Sequence, residues 1–87
     1  MALVFLSAML QPLTGGMSQV RVAGRTMRTV INNLEERFPG IKARLLQDGD
    51  LRLDVAVAID GETALDGLAE PVGEDSEVHF IPPISGG

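Results

Sequence analysis

One segment of the 87-residue chain carries a long helical pattern, and that pattern is bounded at both ends. Thr26 precedes this segment as an N-cap. Its apolar residues recur at helical spacing and would face a sheet: Met27, Val30, Ile31, Leu34 and Phe38. Pro39 and Gly40 end the pattern, because proline forces the residue before it out of the α conformation. The other apolar residues alternate or form short runs, which is typical of strands. A single amphipathic helix that covers a sheet predicts an α+β domain.

The strand patterns lie on both sides of this helix. Strands are predicted at residues 2–10, at 18–22, at 53–59, as a very short strand within 62–73, and at 77–81. A short helical turn is expected at 41–46. Turns are expected at Asp48-Gly49-Asp50, at Asp60-Gly61 and around Leu68. The chain therefore divides into a folded domain at 1–81 and a flexible tail at 82–87.

The composition narrows the class of function. Apolar residues make up 45% of the chain and aromatic residues only 3%, so the core must be aliphatic. There is no cysteine, which excludes a disulfide framework, a thiolate nucleophile and a zinc finger of the usual pattern. The net charge of −5 and the lack of a basic stripe argue against nucleic acid. Pro12 closes the first apolar run early and no basic segment precedes it, so a cytoplasmic protein without a membrane span is expected.

The C-terminal segment begins with two conformationally restricted prolines and ends with two glycines, which have no side chain. It reads Pro82-Pro83-Ile84-Ser85-Gly86-Gly87. Glycine has no Cβ, so Gly86 and Gly87 could pass through a slot that is too narrow for other residues. Six residues can reach roughly 20 Å at about 3.3 Å each, which is enough to enter the active site of another protein. We therefore expect the carboxylate of Gly87 to be the reactive group; the alternative is a frayed terminus or a cloning remnant.

A second candidate site is the sheet face that points away from the helix. If Ala2, Val4 and Leu6 point to the core, the alternate residues of the strands point outward. Six residues would then form an apolar patch of the kind that marks a protein interface: Leu3, Phe5, Ala56, Ala58, His79 and Ile81. The alternative is a one-residue slip in register that would bury Leu3 and Phe5.

Three polar features of the sequence each allow a functional and a structural interpretation. His79 is the single histidine, and it is either catalytic or, as we favour, a surface residue for docking. Asp48-Gly49-Asp50 and Asp60-Gly61-Glu62 could suggest calcium, but neither has the spacing of a twelve-residue binding loop. Both are interpreted as turns, and no metal site is predicted.

Taken together, the element order and the proline-rich diglycine tail resemble the ubiquitin-like β-grasp sulfur carriers of the MoaD/ThiS family. That family includes the molybdopterin synthase small subunit and the thiamin sulfur carrier. The similarity is most specific from Pro71-Val72 through the 77–87 segment, and Thr26 and Pro39-Gly40 also match. Gln11 stands where family members often have Arg, and the 74–76 turn lacks their glycine. The loop at 13–16 resembles a subgroup that includes a carrier for cysteine biosynthesis.

The resemblance implies a mixed sheet of four to five strands packed on one main helix. It also implies that a partner adenylating enzyme uses ATP to activate Gly87, and that sulfide or a persulfide then displaces AMP to leave a thiocarboxylate. An acceptor such as the molybdopterin synthase large subunit would receive the sulfur. Gly86 would give clearance, and Pro82, Pro83, Ile84 and Ser85 would form the guided stem. The chain would bind no cofactor and act as a co-substrate or as the small subunit of a synthase complex, not as an enzyme itself.

Three functions remain open at this point. Among sulfur pathways, molybdopterin synthesis is favoured, followed by cysteine biosynthesis and then thiamin. A ubiquitin-type modifier, in which Gly87 forms an isopeptide bond with lysines, is the runner-up. The third is a β-grasp binding module with an inert tail.

Overall fold

The computed structural model describes residues 1–81, so the predicted tail at 82–87 lies outside the described residues. Seven strands and two α-helices lie within these 81 residues. In chain order they are β1 (Ala2–Phe5), β2 (Gln19–Val22), α1 (Met27–Arg37), α2 (Ile41–Leu45), β3 (Leu46–Gln47), β4 (Asp50–Leu51), β5 (Ala56–Ile59), β6 (Glu62–Thr63) and β7 (Glu77–Ile81). Short 3₁₀ turns lie at Gln11–Leu13 and Gly67–Ala69.

The main sheet has five strands in the order β2-β1-β7-β5-β6. β1 and β7 pair in parallel at its centre, and the other pairs are antiparallel. β3 and β4 form a separate two-stranded hairpin. Because β1 and β7 run the same way, their carboxyl ends meet at one edge of the sheet. This mixed sheet with one main helix is a ubiquitin-like β-grasp and confirms the predicted fold class.

Helix α1 begins where the sequence predicts it. The Thr26 side chain accepts a hydrogen bond from the Thr29 backbone N–H at 3.3 Å. Val30, Ile31 and Leu34 are fully buried, as predicted. The helix ends at Arg37, however, and Phe38 is its C-cap, only half-buried. Phe38 still packs against the core, as predicted, but it is only partly buried because it lies one residue beyond the end of the helix.

The junction between the two helices is held by one carboxylate. Glu35 accepts hydrogen bonds from the backbone N–H groups of Lys42, at 2.8 Å, and of Gly40. These bonds, the Lys42 bond foremost, hold the pKa of Glu35 below its ordinary value of 4.5. Gly40 has a φ of 103°, which a residue with a Cβ rarely adopts. The expected helical turn at 41–46 is confirmed as α2.

The core lies between the helices and the inner face of the sheet, and it is aliphatic except for Phe80. Its buried residues are Ala2, Val4, Leu6, Leu10, Val20, Val22, Met27, Val30, Ile31, Leu34, Ile41, Leu45, Val57, Leu68, Val72, Val78 and Phe80. The composition therefore indicated the character of the core correctly.

Two predicted strands are shorter in the structure. β1 stops at Phe5, because residues 7–14 form turns in which the Leu10 N–H donates to the Ser7 carbonyl. β5 begins only at Ala56, because the Val55 N–H donates to the Arg52 carbonyl in a turn. Leu53, which continues the apolar alternation in the sequence, is fully exposed in that turn.

Two Asp-Gly pairs make the tight turns that the sequence predicts. Asp48 and Gly49 join β3 to β4, and Asp60 and Gly61 join β5 to β6. All four residues have positive φ, between 52° and 84°, the geometry of two-residue hairpin loops. The interpretation of both segments as turns is thus confirmed.

Candidate functional site

The sheet face away from the helices carries the predicted apolar patch. In β1, Ala2 and Val4 are buried, whereas Leu3 and Phe5 are partly exposed on the opposite face. Val57 and Val78 are likewise buried, whereas Ala56 and His79 lie on the outer side. The predicted register is confirmed, and the one-residue slip is wrong.

Strand pairing brings the patch together across three central strands. Phe5 pairs with His79, His79 with Ala58, and Ile81 with Ala56. Ile81 remains 47% exposed, although it is a large apolar side chain. We call this set the outer apolar face: Leu3, Phe5, Ala56, Ala58, His79 and Ile81.

An aromatic stack lies at the centre of the outer apolar face. The Phe5 and His79 rings are 4.1 Å apart between centroids and nearly parallel, with 5° between their planes. His79 Nε2 also lies 3.9 Å from a carboxylate oxygen of Glu77 on the same strand. The stack joins β1 to β7 on the outer side of the sheet, and the His79 side chain remains 43% exposed. The alternation of residues along the strands predicted both residues on this face, but it did not predict the stack, since the stack depends on parallel pairing between the first and last strands.

The carboxyl end of β7 leads from this face toward the predicted tail. Ile81 is the last described residue, and it belongs to both the outer apolar face and the final strand. Pro82, Pro83, Ile84, Ser85, Gly86 and Gly87 lie outside the described residues, so their assigned roles stay predictions. The structure thus places the candidate docking surface directly before the segment that is expected to react.

The opposite end of β7 is anchored by Asp60. Its carboxylate accepts hydrogen bonds from the Glu77 backbone N–H at 2.9 Å and from the Ser76 hydroxyl at 2.8 Å. These bonds, the Glu77 bond foremost, hold the pKa of Asp60 below its ordinary value of 3.8. The charged carboxylate therefore ties the β5–β6 turn to the start of β7. Its role is structural, and the sequence pattern indicated only a turn.

Two features are absent from residues 1–81, a metal-binding cluster and a helix that spans a membrane. Among these residues, no group of three or more His, Asp and Glu side chains is arranged to hold a metal ion. No helix in that part of the chain is long and apolar enough to cross a membrane.

The fold and the outer face define a ubiquitin-like β-grasp protein. The family model of the ThiS family matches residues 4–87, and the chain belongs to that family. The resemblance to ubiquitin-like sulfur carriers of the MoaD/ThiS type is thereby confirmed.

Individual relatives agree with this assignment. The chain is 32% identical over 89 residues to the sulfur carrier protein CysO of Mycobacterium tuberculosis, covering 97% of this chain and 96% of the relative. It is 33% identical over 64 residues to small archaeal modifier protein 3 of Haloferax volcanii, covering 71% of this chain and 70% of that protein. A chain in the crystal structure of the Amycolatopsis orientalis BexX/CysO complex superposes with a TM-score of 0.95 at 29% identity, with 100% of both chains covered.

Proposed function

We propose that this ubiquitin-like sulfur carrier works through the carboxylate of Gly87, which a partner enzyme adenylates and converts to a thiocarboxylate. The observation that carries the proposal is the family match, which runs through the diglycine to residue 87. A free carboxylate is a poor electrophile, so an activating step with ATP must precede attack by sulfur. Adenylation is that activating step, because the carboxylate oxygen that is lost then leaves as part of AMP.

The sulfur-loading step balances without a redox partner. Sulfide attacks the carbonyl carbon of the acyl-adenylate, a C–S bond forms, the C–O bond to the phosphate breaks, and AMP leaves. The resulting thiocarboxylate is a nucleophile that can be delivered to an acceptor. In this scheme the chain is a co-substrate, and the partner supplies the nucleotide site.

The outer apolar face supports the first part of this cycle, which is docking. It includes His79 and Ile81 of β7, the strand that leads into residues 82–87, and it combines the Phe5–His79 stack with the exposed Ile81. An apolar surface next to a reactive chain end would let the activating enzyme hold the domain while it positions the tail. The crystal structure of a BexX/CysO complex, in which a chain of the same fold occurs, supports a carrier that acts in contact with another protein.

Cysteine biosynthesis is the pathway that the relatives favour. The similarity to the CysO carrier covers 97% of the chain, and the loop at 13–16 resembles the same subgroup. This ranks cysteine ahead of molybdopterin synthesis, which the sequence alone placed first. The acceptor would accordingly be a cysteine synthase and not the molybdopterin synthase large subunit.

Protein modification is the second candidate function. Small archaeal modifier protein 3 shares 33% identity over 64 residues with this chain. In that case the activated Gly87 would be attacked by a lysine amine in place of sulfide, which would form an isopeptide bond.

Intact-mass spectrometry separates the two candidates. The protein is incubated with ATP, sulfide and the activating enzyme from its own organism, with Gly86→Val as the matched control. We expect a mass increase equal to the replacement of one oxygen by sulfur, and no change in Gly86→Val. Higher-mass conjugates with lysine-containing proteins would favour the modifier, and an unchanged mass under all conditions would refute both.

A further inference from the structure

A cavity of about 240 Å³ lies at the edge of the sheet where β1 and β7 end. Four of its lining residues are apolar and come from four segments of the chain: Leu10, Leu45, Val55 and Phe80. The cavity is on the helix side of the sheet, because Leu45 belongs to α2 and Phe80 is buried in the core. Its volume is below the roughly 300–1,000 Å³ that is typical of small-molecule sites, so it suits a side chain of a protein.

Two arginines line the exposed side of this cavity. Arg44, an exposed residue of α2, forms no ion pair among residues 1–81. Arg52 is paired with Asp54, whose carboxylate oxygen lies 3.1 Å from Nε. These three residues leave a local net charge of +1, whereas the whole chain carries −5. An apolar side chain with a carboxylate next to it would therefore be complementary to the cavity.

The chain itself presents a side chain of this kind at Leu65. This leucine follows β6, is 87% exposed, and is not among the residues that line the cavity. Asp66 comes directly after it, and its carboxylate forms no ion pair among residues 1–81. All seven Lys and Arg residues lie within 21–52, whereas 53–81 contain eight Asp and Glu residues and no Lys or Arg. Leu65 thus belongs to the acidic part of the chain, and the arginines at the cavity belong to the basic part.

We propose that two copies of this chain associate through these two sites, with Leu65 of one copy in the cavity of the other. Asp66 of the first copy would then face Arg44 of the second. One apolar side chain and one exposed ion pair make a small interface, so the association is weak and needs a high protein concentration. The cavity is on the helix side, so this contact leaves the outer apolar face uncovered. The inference goes beyond the proposed function and needs no sulfur chemistry.

Sedimentation velocity of the full-length protein, carried to millimolar concentration, tests the proposal. We expect the weight-average sedimentation coefficient of the wild type to rise with concentration. Leu65→Ser should weaken self-association by about tenfold to a hundredfold, because the apolar side chain is lost. Arg44→Glu should weaken it by about twofold to twentyfold, because an attraction becomes a repulsion. Both positions are exposed, so both variants should fold normally.

Two control variants separate this contact from general effects. Arg28→Glu makes the same change of charge at an exposed position of α1 that does not line the cavity, and it should associate like the wild type. Leu65→Met keeps a large apolar side chain and should retain most of the association.

Two rescue experiments identify the residues in contact. Arg44→Glu retains Leu65, and Leu65→Ser retains the cavity and Arg44. An equimolar mixture of these variants should therefore associate more strongly than either variant alone. The double variant that combines Arg44→Glu with Asp66→Arg exchanges the two charges and should associate more strongly than Arg44→Glu.

Three results would overturn the proposal. The first is a wild-type protein that stays monomeric up to millimolar concentration. The second is self-association that Leu65→Ser leaves unchanged, and its loss in Phe5→Asp would then assign the contact to the outer apolar face. The third is a mixture of the two variants that associates no better than its components. The proposed function fails on a different observation, the missing mass increase, so the two failures are distinguishable.

Discussion

Replacement of Phe5 by aspartate tests the outer apolar face as a docking surface. In the free protein the change removes the stack on His79, worth about 0.5–1.5 kcal/mol. It also places a poor strand former in β1, on a propensity scale that spans about 1 kcal/mol. The free energy of unfolding should therefore fall by about 1.5–2.5 kcal/mol. The free energy of unfolding of small domains is about 5–15 kcal/mol, so the variant should stay folded, with a melting temperature lower by about 6–20 °C.

The free energy of binding to the activating enzyme should change by as much as, or more than, the free energy of unfolding. A buried aromatic residue at the centre of an interface contributes about 2 kcal/mol or more, and a buried carboxylate would face apolar partner surface. A loss of 2 kcal/mol corresponds to an increase in Kd of about 30-fold. Titration calorimetry of the folded variant with the activating enzyme measures this directly.

Two control variants make the result interpretable. Asn32→Asp adds the same charge on the helix side, where position 32 faces the Lys42 ammonium at 2.7 Å, and it should leave Kd unchanged. Phe5→Leu keeps an apolar side chain and should retain most of the affinity. Wild-type affinity in a folded Phe5→Asp protein would refute the docking role. An unfolded variant would show that Phe5 belongs to the core and that the assignment of faces is wrong.

Three further predictions concern the fold that presents this surface. Leu34→Ala should lower the free energy of unfolding in urea by about 2–5 kcal/mol, because Leu34 is fully buried; a loss below about 1 kcal/mol would contradict its place in the core. Gly24→Ala should lower the melting temperature more than Gly15→Ala, because a Cβ at residue 24 would lie 2.7 Å from Val30 Cγ2, whereas residue 15 has open space; equal effects would contradict the close approach. The pKa of Asp60 is lowered in the folded state. Its ionised form therefore stabilises the folded protein at pH values above the ordinary pKa of 3.8, and this contribution is lost as the pH falls through the folded pKa. Asp60→Asn should therefore be less stable than wild type at neutral pH, and the gap should close in acid; a gap independent of pH would rule out the charge as its cause.

Local signals explain which parts of the fold were predictable. Helix α1 has a cap, a helical period and a stop within thirteen residues of one another, so it needs no long-range information. The Asp-Gly turns are similarly local, because their residues alone favour positive φ. Leu53 shows the limit of this reasoning. Its alternation with Val55 has the period of a strand, but the hydrogen bond from Val55 to Arg52 makes a turn there.

The features that depend on distant residues could not be predicted in the same way. The Phe5–His79 stack requires the first and last strands to pair in parallel, and no local pattern specifies that pairing. A cavity of about 240 Å³ on the helix side of the sheet is likewise lined by residues far apart in the sequence, among them Leu10, Leu45 and Phe80. The orientation of Leu3 and Phe5 was predictable once β1 was assumed to bury Ala2 and Val4, because side chains alternate along a strand.

The central claim, that the carboxylate of Gly87 is the group a partner enzyme activates, is tested most directly by ATP–pyrophosphate exchange. The assay uses the activating enzyme with the wild-type chain and with a Gly87 deletion, and thermal unfolding of both is measured in parallel. Our account predicts that the deletion abolishes exchange while the melting temperature stays nearly the same, because it moves the reactive carboxylate back by one residue and leaves the buried core within residues 1–81 unaltered. Undiminished exchange by the deletion variant would contradict the account and favour a β-grasp binding module with an inert tail.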